Sequence, residues 1–258
     1  MSASSGDGLQ VFEHDELARS LAVKWWSEID RSPEIHAATQ EGKMFGLLVG
    51  EPAGTSIQET AHLDPMESHQ VGCSWVQLRA CSGQLGGLWN PPGLAPSLLD
   101  HQKIAGASWR AQRDLHRFTH QIEQAHRRGD MTRVIELKRL RRARSKEHAD
   151  ELRGATLLTP LIGAPLALSE LWTDAATGVG ECCAPKLICW AAQREIKPLG
   201  IAEFQVTYYD STAPRPPRAE LITRVTTPHY DLTFYAPCHA RCVPLLPFLL
   251  NGERESNS

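Results

Sequence analysis

The spacing of apolar residues predicts a first helix at residues 11–26, where Leu17, Leu21 and Trp25 recur every fourth position. Apolar runs predict a buried strand at 42–49 and a central strand at 199–209, and alternating side chains predict a strand at 73–81. A shorter strand is expected at 220–226. We expect the first two strands to pair as a hairpin across the polar loop 51–70. Further helices are predicted at 186–194, with Pro185 in the first turn, and at 244–250.

A charged segment at residues 108–153 interrupts this pattern, after a Gly- and Pro-rich passage at 82–96. Its thin apolar stripe breaks at Gly129-Asp130, which predicts an antiparallel helical hairpin. The order of elements predicts one three-layer α/β domain with a mixed sheet and this hairpin inserted. The expected division is a disordered N-terminus at 1–10, a first α/β part at 11–107, the hairpin at 108–154, a metal-binding second α/β part at 155–251 and a disordered tail at 252–258.

Composition narrows the class of protein. The 258 residues are 41% hydrophobic and carry a formal net charge of −3, which excludes a uniformly basic nucleic-acid-binding protein. The first residues lack the basic and apolar regions of a secretory signal. No apolar run reaches the roughly 18 residues that span a membrane. We therefore expect a cytoplasmic protein without membrane association.

The chemistry of the chain is concentrated in its cysteines, of which there are seven. Without a secretory signal, metal binding or packing is favoured over disulfides. Cys238 and Cys242 are four residues apart, and Cys182 precedes a predicted helix, whose N-terminus stabilises a thiolate. Because zinc prefers thiolate and imidazole ligands in a tetrahedral arrangement, the sequence predicts one zinc ion bound by these three cysteines.

Other assignments of the same residues stay open. Cys183 and His229 are alternative metal ligands, and His239 is better explained as a surface histidine in a loop. A fourth protein ligand would make the site structural, whereas water in the fourth position would make it catalytic. In a metal-free alternative, Cys182 or Cys183 is a nucleophile activated at the start of the helix.

The basic stretch 133–146 is a candidate RNA-binding segment. If this stretch is a helix, RNA phosphates are expected to bind to its arginines Arg139, Arg141, Arg142 and Arg144. The alternative is a solvated helix whose basic residues pair with neighbouring acidic ones.

The two cysteine motifs, ECCAPK at 181–186 and PCHARC at 237–242, resemble a distorted version of the zinc nucleobase deaminase signature. The resemblance implies a deaminase-like core and a zinc-dependent hydrolase acting on an amino-substituted ring carbon. Ala184 stands where that family places its catalytic Glu, so Glu181 and Glu203 are the remaining candidates for a catalytic base.

Glu203 lies in an apolar strand, where a carboxylate needs a partner or a function. Its alternative role is an ion pair, with Lys186, Lys197 or Arg224 as the partner.

A second resemblance covers most of the chain. Five segments are similar, in order, to the N-terminal extension of a group of bacterial RNA pseudouridine synthases: EGKMFGLLV (41–49), LRACSGQLGG (78–87), GECCAPKLICWAA (180–192), IKPLGIAEF (196–204) and FYAPCHARCVPLL (234–246). That extension also carries a long charged helical insertion and precedes the synthase domain, which we do not find here. The resemblance implies a stand-alone zinc-binding relative of the extension, with RNA or an RNA-modification enzyme as its partner.

Overall fold

The computed structural model describes residues 15–29, 33–40, 42–53, 75–208, 223–226 and 230–253. The predicted disordered N-terminus at 1–10 and most of the loop 51–70 lie outside these ranges, as do residues 254–258 of the predicted tail. The chain divides into two compact units. The first comprises residues 1–97, 159–164 and 180–258, as far as they are described, and the second comprises residues 98–158 and 165–179.

The described residues form a mixture of helices and strands, as predicted. In chain order the elements are α1 (Asp15–Glu28), α2 (Pro33–Gln40), β1 (Met44–Pro52), β2 (Val76–Cys81), α3 (His101–Arg127), α4 (Met131–Ala155), β3 (Leu157–Leu158), β4 (Leu166–Ala167), α5 (Leu168–Leu171), α6 (Cys183–Gln193), β5 (Ile196–Tyr208), β6 (Thr223–Thr226), β7 (Tyr230–Tyr235) and α7 (Leu246–Asn251). A 3-10 turn at Val243–Leu245 leads into α7.

The first unit is built on a five-stranded sheet with the order β2-β1-β5-β7-β6. The predicted pairing of the first two strands is confirmed, since β1 and β2 run antiparallel. The prediction of a mixed sheet is wrong, because every described strand pair in this sheet is antiparallel. The long apolar run of β5 is typical of a parallel strand, but an antiparallel strand covered on both faces has the same composition.

One face of the sheet packs against α1 through an aromatic cluster. Phe45 of β1 lies opposite Phe204 of β5, and their ring centroids are 6.1 Å apart. Trp25 and Trp26 of α1 meet these rings, the closest being Trp26 and Phe45 at 4.8 Å between centroids. Because side chains alternate along a strand, the neighbouring residues of β1 and β5 point to the opposite face.

The opposite face packs against α6. Cys183, Leu187 and Trp190 of this helix are buried against Leu48 and other apolar residues of the sheet. The helix approaches β1 closely at Gly46, where an added Cβ would lie 2.6 Å from the Cys183 Cβ. A glycine is therefore required here for close packing between the helix and the strand.

The second unit contains two long helices. Asp100 caps α3 by accepting a hydrogen bond from the Lys103 N–H at 3.0 Å, so this helix begins seven residues before the predicted start of the charged segment. Asp130 caps α4 in the same way at the Arg133 N–H. Apolar residues from both helices form a shared buried cluster, which comprises Ile122, Ala125, Val134 and Leu137.

No helix within the described ranges combines the length and apolar character needed to cross a membrane.

Replacing Gly46 tests the close approach of α6 to the sheet. Gly46→Ala places a methyl group against the Cys183 Cβ, so we expect it to lower the free energy of unfolding by about 1–3 kcal/mol. The control is Gly106→Ala on α3, where the nearest atom is 3.4 Å away and at the end of a flexible arginine. This change should stabilise the helix by up to about 1 kcal/mol. The free energy of unfolding of both variants is measured by urea unfolding. A Gly46→Ala variant as stable as the wild type would contradict the close packing of α6 against β1.

Candidate metal centre

Cys182 is placed by the start of α6. It is the residue immediately before the helix, in an extended conformation with φ −75° and ψ 163°. Its side chain makes no capping hydrogen bond to the helix, so the thiol is available for other interactions. The helix dipole and the free N–H groups of the first turn favour negative charge at this position.

Cys238 and Cys242 are placed by a single turn that follows β7. The Cys242 N–H donates to the Cys238 carbonyl at 2.9 Å, and the Val243 N–H donates to the same oxygen at 3.1 Å. This hydrogen bonding brings the two thiols together, with 3.5 Å between their Sγ atoms. Cys242 is buried and Cys238 is exposed, so the turn presents one thiol to the interior and the other to solvent.

The structure brings the three predicted cysteines together. The Sγ atoms of Cys182, Cys238 and Cys242 all lie within 4.8 Å of one another. Such a group can hold a metal ion, since three thiolates around one ion have sulfur–sulfur separations of this order. Among the residues that the structure describes, no other His, Cys, Asp or Glu joins the group.

The protonation of the thiols is coupled. The hydrogen bond with Cys242 lowers the pKa of Cys182, and the positive charge of Arg241 acts in the same direction. The same hydrogen bond, together with burial, raises the pKa of Cys242. Of these two thiols, Cys182, at the start of the helix, therefore loses its proton before Cys242. A bound metal would have to displace the remaining protons, so metal affinity is expected to rise with pH.

Cys183 does not join the three cysteines, although it is adjacent to Cys182. It is fully buried on the sheet side of α6, and its Sγ lies 3.4 Å from the Met44 carbonyl oxygen of β1. Burial raises the pKa of its thiol well above the usual range, which makes it unreactive. His239 is exposed and outside the group, whereas His229 lies outside the described residues.

Glu203 has a different partner from the basic residues that the sequence suggested. Its carboxylate accepts a hydrogen bond from the Ala184 N–H at 2.9 Å, in the first turn of α6. The side chain is almost completely buried in the central strand β5, and burial raises the pKa of the carboxyl while this hydrogen bond opposes the rise. The negative charge of Glu203 opposes the lowering of the Cys182 pKa and adds to the rise of the Cys242 pKa.

Glu181 belongs to a second polar network at the same end of α6. It accepts a hydrogen bond from the Ser97 hydroxyl at 2.8 Å and lies 3.9 Å from the Lys186 ammonium. Lys186 is fully buried and donates to the carbonyl oxygens of Cys81, at 3.1 Å, and Gly83, at 3.5 Å. Sequence reasoning missed this role of Lys186, although a lysine within the apolar helix PKLICW was a signal.

The predicted RNA-binding arginines of α4 differ in their surroundings. Arg139, Arg141 and Arg142 are exposed. Arg144 is largely buried against the helical pair and forms ion pairs with Asp114 at 3.5 Å, Glu147 at 3.4 Å and Glu151 at 3.5 Å. For Arg144 the structure therefore favours the alternative of a helix stabilised by its own ion pairs.

Comparisons with known proteins identify no relative. No protein-family model, no curated protein and no solved structure matches this chain. The resemblances to deaminases and to the pseudouridine synthase extension therefore stay predictions, and function is inferred from the geometry of the described residues.

Adjacent cysteines give a direct test of the assignment. Cys182→Ser should abolish stoichiometric zinc binding, while serine, a preferred residue before a helix, preserves the start of α6. Cys183→Ala should retain one zinc per chain and lose only about 1 kcal/mol of stability from a small cavity. Mass spectrometry measures the zinc content of both variants, and far-UV circular dichroism checks that both remain folded. Zinc retained in Cys182→Ser and lost in Cys183→Ala would reverse the assignment.

Proposed function

We propose that this protein is a zinc-binding module in which Cys182, Cys238 and Cys242 bind one zinc ion. The observation that supports it is the mutual approach of three thiols from two distant segments of the chain. Soft thiolate ligands select zinc over the hard cations magnesium and calcium. A zinc ion completes its tetrahedral coordination with one further ligand, which is either water or a residue outside the described ranges.

A structural role for the metal is supported by the two segments that it would connect, one exposed and the other buried. The turn that carries Cys238 and Cys242 is mostly exposed between residues 235 and 241. Cys182 lies at the start of α6, a buried helix packed on the sheet. A metal bound between them would fix this exposed turn to the core, and its binding free energy would add to the stability of the fold.

We further propose that the module belongs with RNA-modification proteins and binds RNA or a partner protein. The five segments that resemble the pseudouridine synthase extension cover parts of β1, β2, α6 and β5 and the metal-binding turn. All of them fall within the first unit, so the resemblance concerns the sheet and the metal centre together. The charged helices of the second unit correspond in position to the insertion of that extension.

A second candidate function is a zinc-dependent deaminase-type hydrolase, favoured by the position of Glu203. Its carboxylate accepts a hydrogen bond from the N–H of Ala184, the residue at the position where deaminases carry their catalytic Glu. A zinc ion in such a site activates water for attack on a ring carbon. The zinc-loaded chain should then release ammonia from a nucleoside such as cytidine or adenosine, and Glu203→Gln should abolish the release. If no nucleoside tested releases ammonia, the deaminase function is rejected and the structural role of the zinc is retained.

Zinc removal tests the structural role. In the zinc-loaded protein, a chelator should lower the free energy of unfolding by about 4 kcal/mol if free zinc exceeds its dissociation constant by about a thousandfold. Cys238→Ser should show the lower stability from the start and no further response to the chelator. The measurement is thermal unfolding with and without chelator, using Cys183→Ala as the control that still responds. A wild-type protein that contains no zinc and is equally stable in chelator would favour the alternative of a cysteine nucleophile.

A further inference from the structure

Charge is distributed unevenly along the chain. Residues 101–155, which form α3 and α4, contain 14 Lys and Arg residues and 7 Asp and Glu residues, a net charge of +7. Since the whole chain carries −3, the remaining residues carry −10. A polyanion would therefore be attracted to the helical pair and repelled by the rest of the protein.

Ion pairs within the two helices neutralise part of this positive charge. Arg117 pairs with Asp114 at 3.2 Å, and Arg133 pairs with Glu136 at 2.7 Å. Other acidic residues are also engaged, among them Glu147 and Glu151 with Arg144, and Asp150 with Arg153. Five of the seven acidic residues in this segment are thus already paired with arginines.

A row of basic residues on α4 is left out of these pairs. Lys138, Arg142 and Lys146 are exposed, and none forms an ion pair within the part of the chain that the structure describes. Their spacing of four residues places them along one side of the helix, about 6 Å apart, with Arg139 beside them. Like charges at this spacing destabilise a helix, and a bound polyanion would relieve that repulsion.

We infer that the side of α4 formed by Lys138, Arg139, Arg142 and Lys146, the α4 basic row, binds the sugar-phosphate backbone of RNA. The inference deepens the proposed function and rests on it for the choice of RNA. Contacts to phosphates position a protein on nucleic acid without reading sequence, so the row binds independently of RNA sequence. Two of the arginines suggested by the sequence, Arg139 and Arg142, lie in the row, whereas Arg144 does not.

The surface of α4 favours RNA over an anionic membrane. A helix that lies in a membrane interface needs a continuous apolar face opposite its charges. The exposed large apolar side chains of α4 are Met131, Ile135 and Leu140, of which two lie in its first turns and none beside Lys146. A narrow line of positive charge on a 25-residue helix fits a linear polyanion better than a lipid surface.

Two double variants with the same loss of charge test the α4 basic row. Lys138→Gln with Arg142→Gln removes two unpaired charges, whereas Arg117→Gln with Arg133→Gln removes two charges that are already ion-paired. Binding of the full-length protein to a fluorescent oligouridine is followed by anisotropy across a range of salt concentrations. We expect the first variant to bind about tenfold more weakly at low salt, with the slope of log K against log salt reduced by about 1.4. The second variant should bind nearly as the wild type does.

Equal weakening in both double variants, or absence of RNA binding by the wild-type protein, would overturn the inference. Tighter binding to phosphatidylserine vesicles than to RNA would overturn it in favour of a membrane. Zinc content measured on the same samples separates this inference from the proposed zinc site. A wild-type protein that contains zinc but does not bind RNA would reject the α4 basic row alone. RNA binding that depends on Lys138 and Arg142 in a zinc-free protein would reject the zinc proposal alone.

Discussion

The start of α6 is held to the central strand β5 by a buried hydrogen bond between the Ala184 N–H and the Glu203 carboxylate. Charge-assisted hydrogen bonds of this kind are stronger than neutral ones, and the N-terminal end of a helix stabilises a carboxylate. Both effects offset part of the cost of burying Glu203 in the sheet, and burial still raises the pKa of its carboxyl. The bond fixes the first turn of α6, and with it the direction in which Cys182 leaves the helix. It also turns Cys183 toward β1, where Gly46 leaves room for it.

A second buried charge strengthens the same turn from the other side. Lys186 ties the segment after β2 to α6 through the carbonyls of Cys81 and Gly83, and Glu181 completes the network with Ser97. Cys182 therefore adjoins a helix start that is buried and fixed by hydrogen bonds. Cys238 and Cys242 instead come from a turn that is mostly exposed. This asymmetry suggests that one metal ligand is preorganised, while the other two gain order when the metal binds.

Local patterns in the sequence were enough to predict some of these features. The four-residue spacing of Cys238 and Cys242 and the position of Cys182 before a helix are local signals, and they led to the correct grouping of thiols. The pairing of β1 with β2 followed from two consecutive predicted strands, one an apolar run and the other an alternating segment. Strand direction was not predictable, because the burial pattern of β5 is the same in parallel and antiparallel sheets that are covered on both faces.

Other features depend on contacts between distant residues, which leave no local pattern. The partner of Glu203 is a backbone group 19 residues away, and Lys186 reaches a carbonyl 105 residues away. Strand β7 was missed because Asp231 interrupts its apolar run, and the structure pairs this buried carboxylate with Arg224 of β6.

X-ray absorption at the zinc edge of the purified full-length protein tests the central claim most directly. The proposed centre predicts at least three sulfur atoms at about 2.3 Å, together with one nitrogen or oxygen atom at about 2.0 Å if the fourth ligand is an imidazole or water. Fewer than three sulfur atoms, or a protein that binds no zinc, would contradict a centre formed by Cys182, Cys238 and Cys242.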